Sequence, residues 1–415
     1  MRILFATIGS LGDLHPCLAL GVELKRRGHT VAIASTEAYR SRVLALGLGF
    51  HSLRPNWNPG DSELIRQCED LKSGPETLFR RLILHHLEDT YADLLTAAGE
   101  YDFLLAGEIV FAAPLVAEKL GLRWGSIILS PCSFLSAYDP SLLVTAPQLF
   151  WLRKAGWRIN RMFLELGAYS ARHWWEPIRQ LRRKEGLNPD CSPFARDKFS
   201  PTLVLALFPA AFARHQPDWP VSTIQTGFAF HDEEATGADL KELAKFLDAG
   251  EPPIVFTLGS TAVSHPSNFY EASLEATLRL GRRAVLVGAR DLQTRSDQVL
   301  SIPYAPYAAI FPRASVIVHQ GGSGTTGQAL RAGRPMLFVP FGWDQPDNAA
   351  RVERLGAGLS IARKEYSADT ASTALRRLLS EPSFASRAAE LGQVLRAQDG
   401  VQEACDAVET AMMRS

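Results

Sequence analysis

Arg2-Ile3-Leu4-Phe5-Ala6-Thr7-Ile8-Gly9-Ser10-Leu11-Gly12-Asp13-Leu14-His15-Pro16 opens the chain, and Leu18, Leu20, Val22 and Leu24 lead on to Thr30-Val31-Ala32-Ile33-Ala34. An apolar run that stops at a glycine turn reads as a strand buried on both faces. The leucine spacing reads as a helix over 14–27, ended by Gly28-His29, and the second apolar run as another strand. A βαβ unit at the very start predicts an α/β fold.

Outward from this unit, short apolar runs at 50–53, 103–106, 125–129 and 203–207 extend the alternation toward a parallel sheet. The stretch 208–250 holds prolines and charges with little periodicity before Leu240, and reads as a crossing between domains. A second alternation starts at Ile254-Val255-Phe256-Thr257-Leu258 and runs into Gly259-Ser260-Thr261. It continues with a helix near 269–280, strands at 283–287 and 315–318, a glycine-rich segment at 319–327, a helix to Ala332 and a strand at 335–340. A chain of 415 residues exceeds one compact core, so the pattern divides into domains at 1–224 and 225–395. The helix expected within 396–415 is assigned to the first domain.

The formal net charge is zero, which removes a global pull toward nucleic acid or anionic membrane. Cys17, Cys68, Cys132, Cys191 and Cys405 are scattered without a Cys-x-x-Cys pair or zinc-like spacing, which suits a reduced, cytoplasmic setting. The long apolar stretch 103–120 carries Glu108, Pro114, Glu118 and Lys119, so it reads as a strand and a helix rather than a membrane span. The stretch 59–99 reads as helical. The stretch 131–183 is rich in aromatic residues, and Phe134, Tyr138, Phe150, Trp151 and Trp157 there either pack between helices or face a hydrophobic ligand. The basic run 179–184 reads as a solvated helix face.

The chemistry concentrates in His319-Gln320-Gly321-Gly322-Ser323-Gly324-Thr325-Thr326-Gly327. A strand that ends in glycines and opens a helix presents unpaired N–H groups and the positive end of a dipole, which favours a diphosphate. No Gly-Lys-Ser/Thr follows, so this is not a Walker A loop. The spacing Gly322-x-Gly324-x-x-Gly327 matches a dinucleotide fingerprint, but the acids about twenty residues on, Asp344 and Asp347, sit in a proline-flanked loop instead of at a strand end. That loop, Phe338-Val339-Pro340-Phe341-Gly342-Trp343-Asp344-Gln345-Pro346-Asp347, sets an acid beside an amide, a pair suited to sugar hydroxyls.

Together the two segments resemble the donor-site signature of the inverting nucleotide-sugar glycosyltransferases of the GT-B fold, a family with antibiotic-tailoring, sterol and plant natural-product members. The resemblance implies two Rossmann-like domains facing across a cleft. It implies that His319, Gly321, Gly322, Ser323, Gly324 and Thr325 contact the diphosphate, Asp344 and Gln345 the sugar, Gly259 and Ser260 the same phosphates, and Tyr304 and Tyr307 the base. Plant members carry tryptophan and glutamine where Tyr304 and Tyr307 stand, and a ribose-binding glutamate where Gly327 lies. Uridine and thymidine diphosphate sugars are therefore both compatible.

Gly9 to Pro16 is similar to the family's N-terminal turn, which implies Asp13 as catalytic base, Ser10 and Gly12 toward the donor, and His15 toward the acceptor with Phe134 and Tyr138. Asp13 also suits an N-cap for a helix starting at Leu14, and His15 is the other base candidate. No Asp-x-Asp metal motif occurs, and the resemblance implies metal-independent transfer to a hydrophobic acceptor, with no cofactor beyond the nucleotide sugar. The rival functions are a sugar-nucleotide epimerase of the same fold, a catalytically silent binding relative, and a nicotinamide dehydrogenase.

Overall fold

The computed structural model describes residues 1–58, 61–70, 73–142, 151, 154–232, 238–263, 265–289, 292 and 296–413. The chain forms two compact units, Met1–His231 with Asp399–Ser415, and Asp232–Gln398.

In the first unit β1 (Arg2–Ala6), β2 (Thr30–Ser35), β3 (Gly49–Ser52), β4 (Phe103–Gly107), β5 (Trp124–Ile128), β6 (Leu203–Ala206) and β7 (Thr223–Gln225) form a sheet of order β3-β2-β1-β4-β5-β6-β7. Every pairing is parallel, with Ala6 level with Ala34 and Ala106. β1 is buried on both faces from Ile3 to Ala6, which is why it reads as an unbroken apolar run. Helix Leu11–Arg26 covers one face, and helix Gly400–Met413 packs beside it, sharing a core with Leu14, Leu18, Cys405, Val408 and Met412. Arg27 fastens this terminal helix by ion pairs to Asp406 at 2.6 Å and Glu409 at 2.7 Å.

In the second unit β8 (Ile254–Thr257), β9 (Ala284–Val287), β10 (Val299–Ile302), β11 (Val316–His319), β12 (Met336–Phe338) and β13 (Gly358–Ser360) pair in the order β10-β9-β8-β11-β12-β13, again all parallel. Helices Phe269–Arg279 and Ala368–Ser380 bury Phe269, Ala276, Ala371 and Leu375 against Phe256, Leu286 and Val318.

Three strands escaped the sequence reading. β7, β10 and β13 are three of the four outer strands, and Thr223 and Gln225, Ser301, and Gly358 with Ser360 interrupt their short apolar runs. The helix expected from Leu14 begins at Leu11, with Ser10 as its N-cap. Phe150 lies outside the described residues. Among the described residues no helix is long and apolar enough to cross a membrane.

Candidate functional site

Each sheet has one point where the strand order reverses direction, between β1 and β4 in the first unit and between β8 and β11 in the second. In open α/β sheets the crevice beyond the carboxyl ends of those strands is the natural ligand position. β1 leads to Gly9–Asp13, β8 to Gly259 and β11 ends at His319, so the segments singled out by sequence stand at these switch points.

His319 is wholly buried and packs against Phe338, with ring centroids 4.5 Å apart. Its Nδ1 accepts the backbone N–H of Gly321 at 3.1 Å. Burial pushes the imidazole down to about 3, so the ring is neutral at physiological pH. A neutral ring that accepts on Nδ1 carries its proton on Nε2, and Nε2 is buried without a hydrogen-bond partner. Gln320 Oε1 and Thr326 Oγ1 are likewise buried and unpartnered. Orphaned buried polar atoms are rare, and these three stand where β11 opens into a helix.

The helix Ser323–Ala332 starts at N-cap Gly322 with no side chain capping it, which leaves its first N–H groups and dipole for an anion. Gly321 has φ of +97°, and a Cβ there would lie 3.0 Å from the Gln345 carbonyl oxygen, so only glycine fits. Gly259 has φ of +67°, and its missing Cβ makes room for the Gln320 side chain.

Asp344 and Gln345 meet this turn. Asp344 Oδ2 accepts from Ser323 Oγ at 2.7 Å and from Asn348 Nδ2 at 2.8 Å. Gln345 Oε1 accepts the N–H groups of Phe341 at 2.7 Å and Gly342 at 3.1 Å, which fixes the orientation of its amide. Asn348 was not singled out by sequence, yet it ties the segments together, since its Nδ2 also donates to Gly321 O at 2.9 Å. The i, i+4 offset from Asp344 was the available signal. Asp347 is no ribose acid, because it pairs with Arg351 at 2.7 Å and both side chains are buried. Trp343, ahead of Asp344, has φ of +57°, a backbone strain of a kind concentrated at ligand sites.

Tyr307 stacks on Phe311 at 4.4 Å and shares a hydrogen bond of 2.9 Å with Thr257 Oγ1 at the end of β8. Burial pushes its phenol upward, while Thr257, Thr325 and the Gly259 backbone oppose that shift. Its hydroxyl is therefore held at the end of β8, beside the Gly259 turn. Tyr304 is exposed. Gly324 and Thr325 lie in the first turn of the Ser323–Ala332 helix, and the side chain of Ser260 lies outside the described residues.

In the first unit Asp13 stands at position N3 of its helix, not at the N-cap. Ser10 N–H donates to Asp13 Oδ2 at 2.8 Å and Ser10 Oγ at 3.3 Å, while Gly12 N–H donates to Ser10 Oγ at 3.1 Å, a capping box. Gly9 has φ of +139°, and a Cβ there would collide with Asp13 Oδ2 at 2.2 Å, so the glycine admits the carboxylate. Tyr39 donates to Gly9 O at 3.2 Å. His15 lies 5.6 Å from the His231 ring, and Arg42 Nη1 is 3.4 Å from its Nε2. Phe134 is stacked between Trp219 at 4.0 Å and Phe199 at 5.4 Å and is buried, so it packs the core rather than presenting a face to an acceptor. Tyr138 is half-exposed and stacks on Trp157 at 5.4 Å.

Two family models match the chain. Residues 3–122 match the glycosyltransferase family 28 N-terminal domain, and residues 286–410 match the erythromycin biosynthesis protein CIII-like C-terminal domain. The chain is 30% identical over 437 residues to O-mycaminosyltylonolide 6-deoxyallosyltransferase of Streptomyces fradiae, covering 99% of this chain and 97% of that protein. It is 29% identical to the sterol 3-beta-glucosyltransferase of Neurospora crassa, across 98% of this chain but 27% of that longer protein. Among solved structures it resembles CalG4, the calicheamicin glycosyltransferase, with a TM-score of 0.75 at 19% identity, covering 100% of this chain and 98% of that one. Glycosyltransferase VinC in complex with dTDP is similar with a TM-score of 0.68 at 21% identity, covering the whole of both chains.

Proposed function

The chain belongs to the nucleotide-sugar-dependent glycosyltransferases of the GT-B fold, family 1 type, and on that premise we propose that it moves a hexose or deoxyhexose from a UDP- or dTDP-sugar to a hydroxyl of a hydrophobic small molecule, with inversion and without a metal. The observation that carries the donor half is the orphaned Nε2–H donor of neutral, buried His319 beside an uncapped helix N-terminus. Such a pair is built for an oxyanion, and a bound diphosphate would supply the acceptor atoms it lacks.

In this reading Asp13 accepts the acceptor's hydroxyl proton as that oxygen bonds to the anomeric carbon from the face opposite the leaving group. The bond from that carbon to the diphosphate oxygen breaks, and the departing nucleoside diphosphate takes the electron pair. His319 Nε2–H and the N–H groups at the start of the Ser323–Ala332 helix stabilise the charge, while Asp344 and the Gln345 amide orient the sugar. Asp13 then returns its proton to water. The similarity to a 6-deoxyallosyltransferase supports a deoxyhexose donor, and the dTDP held by VinC supports the thymidine arm. The sterol relative supports a polycyclic acceptor; phenolic, flavonoid, polyketide, sterol and lipid hydroxyls form the test panel.

The experiment is a matrix of UDP- and dTDP-sugars against that panel, read by product mass, with and without a chelator. A glycosylated product formed equally with chelator present is expected. Free nucleoside diphosphate released at the same rate without any acceptor would favour an epimerase or hydrolase instead. Turnover lost on chelation and restored by magnesium or manganese would refute the metal-free mechanism.

A further inference from the structure

The helix Trp157–Ser170 in the first unit has 14 residues, of which Asn160 alone is buried. Asn160 Nδ2 donates to Ala137 O at 2.9 Å and anchors the helix, which otherwise stands proud of the unit. Ile159, Met162, Phe163, Leu166 and Tyr169 follow spacings of three and four and so share one face. That face is open to solvent, with Ile159 43%, Met162 50%, Leu166 56% and Tyr169 64% exposed. A contiguous apolar stripe of this kind on a soluble surface marks a docking element.

Its charge identifies the partner. Over 154–175 the sequence holds Lys154, Arg158, Arg161 and Arg172 against one acid, Glu165, in a chain whose net charge is zero. Arg158 and Arg161 both lie 5.3 Å from the Trp157 ring, Arg172 lies 3.6 Å from the Tyr169 ring, and among the described residues none of the three has an acidic partner. Many arginines elsewhere in the same unit pair with acids, as Arg54 does with Asp89 and Asp93. Unpaired cations flanking an apolar ridge that carries Trp and Tyr are the composition of a helix lying in a lipid headgroup layer. A second copy of the chain fits poorly, because a two-fold contact would set these arginines against themselves with only Glu165 to compensate.

We infer that the helix Trp157–Ser170 docks the protein on the surface of a bilayer bearing anionic phospholipid, its apolar face in the headgroup layer and its arginines on the phosphates. This inference is independent of the transfer reaction.

The test is sedimentation of the full chain with vesicles of phosphatidylcholine alone and of phosphatidylcholine mixed with phosphatidylglycerol. Two variants accompany it, the double Met162→Glu, Leu166→Glu and the double Arg158→Gln, Arg161→Gln, with retained nucleoside diphosphate binding as the check on folding. The wild type should partition about tenfold more strongly onto the anionic vesicles, and either variant should lose that gain by about the same factor. Raised salt should release the wild type. Absence of binding to anionic vesicles would overturn the inference, as would binding that both variants leave unchanged. So would a dimer, seen by analytical ultracentrifugation without vesicle binding, that the Met162→Glu, Leu166→Glu variant dissociates.

Discussion

His319 takes the backbone N–H of Gly321 on Nδ1 at 3.1 Å, and this one bond fixes the ring's proton on Nε2, in a site where burial holds the imidazole down to about 3. An unfolded histidine titrates at 6.5, so below that pH the unfolded chain binds a proton that the folded one refuses. Stability that is complete above pH 6.5 is lost as the pH falls toward the folded value. Urea unfolding at pH 7 and pH 5 should show the wild type losing about 2 kcal/mol more than His319→Gln across that interval. Equal losses would mean the ring is charged or exposed in the folded state.

Asp13→Asn keeps an oxygen for the Ser10 N–H, so the capping box survives while the proposed base is gone. Turnover should fall by about a hundredfold to ten-thousandfold with the melting temperature nearly unchanged. Ser10→Ala removes the N-cap oxygen that accepts from Gly12 at 3.1 Å and should cost about 1 kcal/mol of stability. If Asp13→Asn lowered stability and left turnover alone, the carboxylate would be a cap and nothing more.

Gly259 and Gly324 separate backbone need from open space. A Cβ at Gly259 would approach Gln320 Nε2 to 2.2 Å at a φ of +67°, so Gly259→Ala should destabilise by roughly 1 to 3 kcal/mol and weaken nucleoside diphosphate binding. Gly324 sits in a helical turn where a Cβ meets nothing within 4 Å. Gly324→Ala should be neutral or stabilise by up to about 1 kcal/mol. Thermal melts of both variants decide it.

The Asp347–Arg351 pair, 2.7 Å apart and buried, underpins the loop carrying Asp344 and Gln345. Arg351→Met removes the guanidinium that faces this buried carboxylate, and denaturant unfolding should show a loss of about 3 to 5 kcal/mol. A loss below about 1 kcal/mol would mean the pair is solvated.

The two βαβ-type halves were legible because parallel strands buried on both faces are written as continuous apolar runs; β1, β8 and β11 declare themselves in that way. β7, β10 and β13 did not, because Thr223 and Gln225, Ser301, and Gly358 with Ser360 interrupt their short apolar runs. The helix start was misplaced by three residues because Ser10-Leu11-Gly12 reads as a turn, although Ser10 and Asp13 stand in the spacing of a capping box. The glycine turn at 319–327 was readable since its residue types are dictated by local backbone demands. Asn348 and the true setting of Tyr307 were not, because both depend on segments far apart in sequence meeting in space. Phe134 and Tyr138 looked alike as aromatics, and only packing separates the buried ring from the half-exposed one.

Calorimetric titration of dTDP and UDP into the wild type and His319→Ala puts the diphosphate turn itself on trial. Saturable binding with one nucleotide per chain, weakened roughly tenfold to a hundredfold by the substitution in an otherwise folded protein, is the predicted result. Equal affinity of both proteins for the nucleotide would contradict it.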